Sequence, residues 1–173
     1  MRLPVLVLGL LAVSVCSVPA CGASDDSSPT LIPASRATST PILPVTFRRA
    51  DAVYPGGVLH LEVASTEAQE ERGLSYRDSL ATDAGMIFDL GSPRVQQIWM
   101  KGMRFPLDLL WIDADKRVAE ITAGVQPQPG ADDSQLTRYA PARPVRWVLE
   151  LNAGAAARLG IGTGAQLAFD LAR

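Results

Sequence analysis

Apolar and polar residues alternate from Val58 to Ala64, with Leu59, Leu61 and Val63 on one face and His60 and Glu62 on the other. A period of two predicts a strand buried on one side. Ser65-Thr66 ends the alternation, and Thr66 with Gln69 fits a capping box, so a short helix is expected from there to about Gly73. Glu67, Glu70 and Glu71 favour its first turns. Further strand-like runs follow at Met86–Leu90, Gln97–Lys101, Leu107–Asp113, Arg117–Ala123, Trp147–Leu151 and Gln166–Leu171. The polar centre Asp113–Lys116 predicts a hairpin. Gly124–Pro144, with Pro127, Pro129, Gly130, Pro141 and Pro144, has no period and reads as a long connection. A second, Ala-rich helix is expected over Ala153–Leu159. The fold class is therefore mainly β: a compact barrel- or sandwich-like domain of roughly six to eight short strands with two short helices. The long alternating helices of a doubly wound α/β fold are missing from the pattern.

The N-terminus has a different texture. Met1-Arg2 precedes an apolar run from Leu3 to Val15, shorter than the roughly 20 residues a membrane-spanning helix needs. A basic start and a short apolar core describe a secretory signal peptide. Val18-Pro19-Ala20-Cys21-Gly22 then resembles the bacterial lipobox, in which the Cys carries palmitate-type acyl chains and becomes the mature N-terminus. Residues 1–20 are thus expected to be a lipoprotein signal peptide. Residues 21–45, rich in Ser, Thr, Pro and Ala, are expected to be a lipid-anchored disordered tether, because they have little apolar side chain to bury. Residues 46–173 form the single domain. Cys16 would leave with the signal and Cys21 would be capped, so no disulfide is expected.

Composition narrows the function classes. The 173 residues carry 16 basic and 18 acidic side chains, a net charge of −2, which gives no domain-wide basic field for nucleic acid. One His and two Cys are too few for a structural zinc site, and no cofactor motif is present. Gly160-Ile161-Gly162-Thr163-Gly164 lacks the Lys of a phosphate loop and reads as a turn. Asp132-Asp133-Ser134 lacks the dense oxygen spacing of a calcium loop.

Four stretches, in order, resemble a known family. They are Glu71-Arg72-Gly73-Leu74 with Arg77; Gly85-Met86-Ile87-Phe88; Trp99-Met100-Lys101-Gly102-Met103-Arg104-Phe105-Pro106-Leu107-Asp108; and Val148-Leu149-Glu150-Leu151-Asn152-Ala153-Gly154. The pattern resembles the bacterial and archaeal domain of unknown function number 192. The resemblance implies a compact, mainly β fold, often exported, and brings no established enzymatic activity. Gly102-Met103 stand where the family usually has Asn-Thr, Ser75 where Met is common, and Ala165 where Asp is usual.

Two carboxylates sit in apolar strands. Asp108 shares its face with Leu110 and Ile112, and Glu150 shares its face with Val148 and Asn152. A buried carboxylate needs a cation or several N–H donors. Turn amides or an ion pair would make Asp108 structural, and Lys101, across the reversal at Gly102 and Pro106, is the expected cation. Asp108 and Glu150 together would equip an acid–base pair of the glycosidase type. Trp99, Met100, Met103 and Phe105 surround Lys101, either as core or as a rim around a cationic head. Glu120 and His60 read as surface residues. The candidate ligand-binding residues are Trp99, Lys101, Arg104, Asp108 and Glu150, with Cys21 for lipidation and no metal ligands. The expected function is a lipid-anchored extracytoplasmic binding or envelope-associated module in the bacterial cell envelope. Its partners would be the membrane, through the anchor, and a small molecule, a glycan or an envelope protein. The alternatives are an envelope-polymer hydrolase and a purely structural envelope lipoprotein.

Overall fold

The computed structural model describes residues 44–171. The signal peptide, Cys21 and nearly all of the tether lie outside the described residues.

Strand β1 (Arg48–Tyr54) turns through Pro55-Gly56 into β2 (Gly57–Ala64), and the pair is antiparallel from Arg48↔Val63 to Tyr54↔Gly57. Helix α1 (Glu67–Arg72) begins at Thr66, whose hydroxyl accepts from the Gln69 N–H while the Gln69 side chain accepts from the Thr66 N–H. The capping box therefore forms as its spacing predicts. It ends at Gly73, where φ is +45°.

The chain then enters β3 (Ala84–Arg94), parallel to β2, and after a long excursion β4 (Leu107–Ile112) and β5 (Val118–Val125). The β4–β5 hairpin is held by Asp113, whose Oδ1 accepts from the N–H groups of Asp115 and Arg117. Strand β6 (Val145–Asn152), helix α2 (Ala155–Arg158) and the two-residue β7 (Ala168–Phe169) complete the chain. The seven strands lie in the order β5-β4-β6-β3-β2-β1-β7.

Both faces of this sheet are covered, so the fold is sandwich-like. On one face Leu59, Leu61, Ile87, Leu110 and Leu149 pack under α2 and the C-terminal Leu167 and Phe169. On the other, Met86, Phe88, Leu109, Trp111 and Val148 pack under Leu74 and the excursion residues Ile98, Met100 and Met103. Every residue of β4 is buried, as two apolar faces require. Each fully buried Leu or Ile side chain contributes about 1.5–3 kcal/mol.

The barrel alternative is not met, because the ladder stays open between β5 and β7. A single bridge, Arg117↔Gln166, joins the segments leading into those edge strands, while β7 pairs with β1 at Ala52↔Phe169 and Val53↔Ala168. The expected strand at Gln97–Lys101 is also absent: only Ile98 pairs, in one bridge with Tyr139. That segment leaves the sheet to roof the second core, which costs it a partner strand.

Candidate functional site

The strand register decides where the two carboxylates go. Asp108 stands opposite Leu151, and Leu109 opposite Glu150. Directly opposed residues share a face, so Asp108 and Glu150 point to opposite sides of the sheet. The acid–base pair of the alternative, hydrolase reading does not share a face.

Asp108 is 1 % exposed, and both its oxygens are held by backbone amides. Gly124 donates to Oδ1 at 2.9 Å and Ala156 to Oδ2 at 3.1 Å. The residue capping α2 is Gly154, which has no side chain to accept from the first turn. Asp108 supplies that missing acceptor from a neighbouring strand, and an anion suits a helix start. Its partners are thus turn amides, one of the two structural readings. The other, Lys101, is not its partner: Lys101 bonds Asp133 at 2.6 Å at the surface. The faces of these two residues do not coincide, because Lys101 belongs to no strand. Arg104 pairs with exposed Asp78, away from both carboxylates.

Ser75 and Gly102, two departures from the family pattern, meet each other's segments. The Ser75 hydroxyl donates to the Lys101 carbonyl, and the Tyr76 N–H donates to the Gly102 carbonyl. Gly102 has φ +66°, a left-handed conformation that Asn also tolerates. The turn survives the exchange of side chain.

Glu150 has a different environment. It is 5 % exposed and stands in a cross-strand row with Met86 and, beyond it, Glu62, all on the second-core face. Above this row lies a cleft of about 540 Å3 lined by Glu150, Leu74, Phe88, Ile98, Met103 and Trp99. Glu67, Glu70 and Glu71 of α1 and Arg138 also border it. Arg77, the nearest cation, is committed to Glu62 through two bonds of 2.8 and 2.7 Å. Among the described residues, no donor reaches the Glu150 carboxyl. Burial without a donor pushes its pKa up to about 8, and the nearby Arg77 charge offsets only part of this. Glu62, by contrast, is held below the usual range by its bonds to Arg77.

The rim carries an aromatic and a cation. Trp99 is 37 % exposed, and the Arg138 guanidinium lies 3.6 Å from its ring centre. Met100 and Met103 are buried in the core, while Trp99 stays at the rim, so the Trp–Met cluster divides between the two expected roles. His60 is exposed and bonded to Asp51 at 2.9 Å, as its surface reading predicts. Of the five candidate ligand residues, Trp99 and Glu150 line one cleft; the Lys101 ammonium lies 6.0 Å from the Trp99 ring centre without lining it, and Arg104 and Asp108 lie elsewhere. Sequence reading missed Arg138, which sits in the aperiodic 126–144 connection, and gave the α1 carboxylates a helical role only. Among the described residues, no group of three or more His, Cys, Asp or Glu side chains is placed to hold a metal ion.

A family profile described as an uncharacterized ACR, DUF192, matches residues 51–169, nearly the whole described domain. The chain belongs to the DUF192 family. Two crystal structures share its fold and much of its sequence. One is a proposed transcription regulator from Sinorhizobium meliloti 1021, 35 % identical, matched over 73 % of this chain and 97 % of its own with a TM-score of 0.63. The other is a protein of unknown function from Novosphingobium aromaticivorans DSM 12444, 31 % identical, matched over 75 % of this chain and 89 % of its own with a TM-score of 0.61. A search of curated proteins gives no match. The DUF192 sequence pattern around Trp99–Asp108 and Val148–Gly154 thus does two separate things here. Asp108 ties α2 to the sheet, and Glu150 floors a cleft.

Proposed function

We propose that this DUF192 protein is a lipid-anchored, extracytoplasmic binding module of the bacterial cell envelope that holds a small molecule in the Glu150 cleft. One observation carries the binding role. The carboxyl of an almost wholly buried residue, with no protein donor among the described residues, faces an open cleft beside Leu74, Phe88, Ile98 and Met103. Its oxygens open onto that cleft, where a ligand donor can bond them in place of water. The volume of the cleft lies in the range of about 300–1,000 Å3 common to small-molecule sites. The signal-like apolar run, the lipobox at Cys21 and the tether composition support the envelope address.

Binding is favoured over hydrolysis by Asp108 and Glu150 because the register splits those two acids between the faces of the sheet. The second buried acid lies on the other face, Ser75 donates to a backbone carbonyl, and His60 sits at the surface with Asp51. Ligand-observed NMR against a fragment set tests the site. Fragments should bind the wild type and lose affinity in both Glu150→Gln and Trp99→Ala. Hits unaffected by either change would place binding elsewhere and end the proposal.

A further inference from the structure

The chemistry of the cleft is one-sided. Four carboxyls, Glu67, Glu70, Glu71 and Glu150, border it against a single guanidinium, Arg138. Glu70 is paired with Arg94 at 3.2 Å, and Arg77 is held by Glu62, so neither arginine is released to meet an anion. Residues beside Glu150 on the sheet, Met86 and Leu109, carry no charge. An anionic ligand would meet like charge from α1. A cation meets opposite charge from α1, and like charge only at the mouth, from Arg138 and from the Asp133-bonded Lys101, 6.0 Å from the Trp99 ring centre.

Arg138 already shows the geometry of such a guest. Its guanidinium lies over the Trp99 ring at the mouth, held from the long connection by one bond of 3.3 Å to the Asp133 carbonyl. The side chain is a cation on a short apolar stem, occupying the aromatic face that lines the cleft.

We propose that the cleft binds an organic ammonium with an apolar body, its head on Glu150 and its body between Phe88, Ile98 and Trp99, with Arg138 displaced from the Trp99 ring. This rests on the reading of the cleft as a binding site and names its ligand class. An ammonium supplies three donors and a charge to a carboxyl that has neither. Because burial leaves the empty site's carboxyl protonated at neutral pH, binding is an exchange. The Glu150 O–H bond breaks, its proton passes to buffer, and the carboxylate accepts from the ammonium N–H groups.

Titration calorimetry at pH 7, in two buffers of different ionisation enthalpy, tests this with phenethylammonium, 2-phenylethanol and 3-phenylpropanoate. The ammonium should bind about tenfold or more tighter than the other two and release close to one proton. Glu150→Gln should abolish the proton release and weaken the ammonium about tenfold, whereas Arg138→Ala should tighten it severalfold. Equal or tighter binding of the alcohol or carboxylate, lost in Glu150→Gln, would overturn the cation and leave the cleft standing as a binding site. Failure of all three probes at 10 mM (about 3 kcal/mol of affinity or less) would overturn both. Unchanged ammonium affinity in Arg138→Ala would overturn the displacement.

Discussion

Replacing Glu150 with Gln swaps a buried, titrating carboxyl for an isosteric amide that carries no charge at any pH. In the unfolded chain the carboxyl titrates near 4.5, and in the fold near 8. A raised folded pKa means that the native state binds the proton more tightly, so stability is greatest below the unfolded value. It falls as pH rises through the window from about 4.5 to 8 and levels off above it. One pKa unit corresponds to about 1.4 kcal/mol, so this group removes roughly 3–4 kcal/mol between pH 5 and pH 8. His60, raised by its bond to Asp51, and Glu70, raised by burial, bias the wild type in the same direction. Both are present in the variant and cancel in the difference. Urea denaturation at half-unit steps from pH 5 to 8.5 should give a wild-type-minus-variant stability that drops by about that amount, steepest between pH 5.5 and 7.5. A difference flat to within about 0.5 kcal/mol would show that the carboxyl is solvated or paired, and the account of the cleft would fail with it.

Two further outcomes follow from the geometry and one from the lipobox at Cys21. Asp108→Ala should strand the Gly124 and Ala156 amides and cost about 2–4 kcal/mol by the same denaturation assay, while Lys101→Met should cost under about 1 kcal/mol; comparable losses would restore the ion pair rejected above. Gly102→Ala should cost about 1 kcal/mol for its positive φ, with the exposed Tyr76 ring swinging aside, and Gly102→Asn clearly less; equal costs would remove the conformational explanation of that departure. Mass spectrometry of membrane fractions should find Cys21 acylated in the wild type and Cys21→Ala unprocessed or released, and an unmodified Cys21 would remove the anchor from the proposed function.

What the sequence disclosed was local. The alternation at Leu59–Val63, the Thr66–Gln69 box and the Asp113 turn all act over a few residues, and each stands in the structure. Strand β1 escaped notice because its inward residues, Ala50 and Ala52, are too small to mark a period beside Arg48, Arg49 and Asp51, although Tyr54-Pro55-Gly56-Gly57 carried a turn signal. Gln97–Lys101 alternates like a strand, yet alternation says which sides differ and nothing about whether a partner strand is available. Asp108 and Glu150 were both legible as buried acids. Their separation was not, because one residue of register moves a side chain to the other face of a sheet, and register is set by pairing between distant segments. Arg138 lay in a stretch with no pattern to read.

The segment 164–169 touches both borders of the sheet at once. Gly164 and Leu167 donate to the Val118 and Lys116 carbonyls on one border, Ala168 and Phe169 pair with β1 on the other, and the Lys116 ammonium donates to the Phe169 carbonyl across the seam. One six-residue segment therefore blunts two otherwise exposed strand edges. Until this segment docks, both edges stay open to pairing with another chain. A chain stopped at Gly162 should associate through those edges in sedimentation experiments, and a monomeric, protease-resistant product would show that the seam is dispensable.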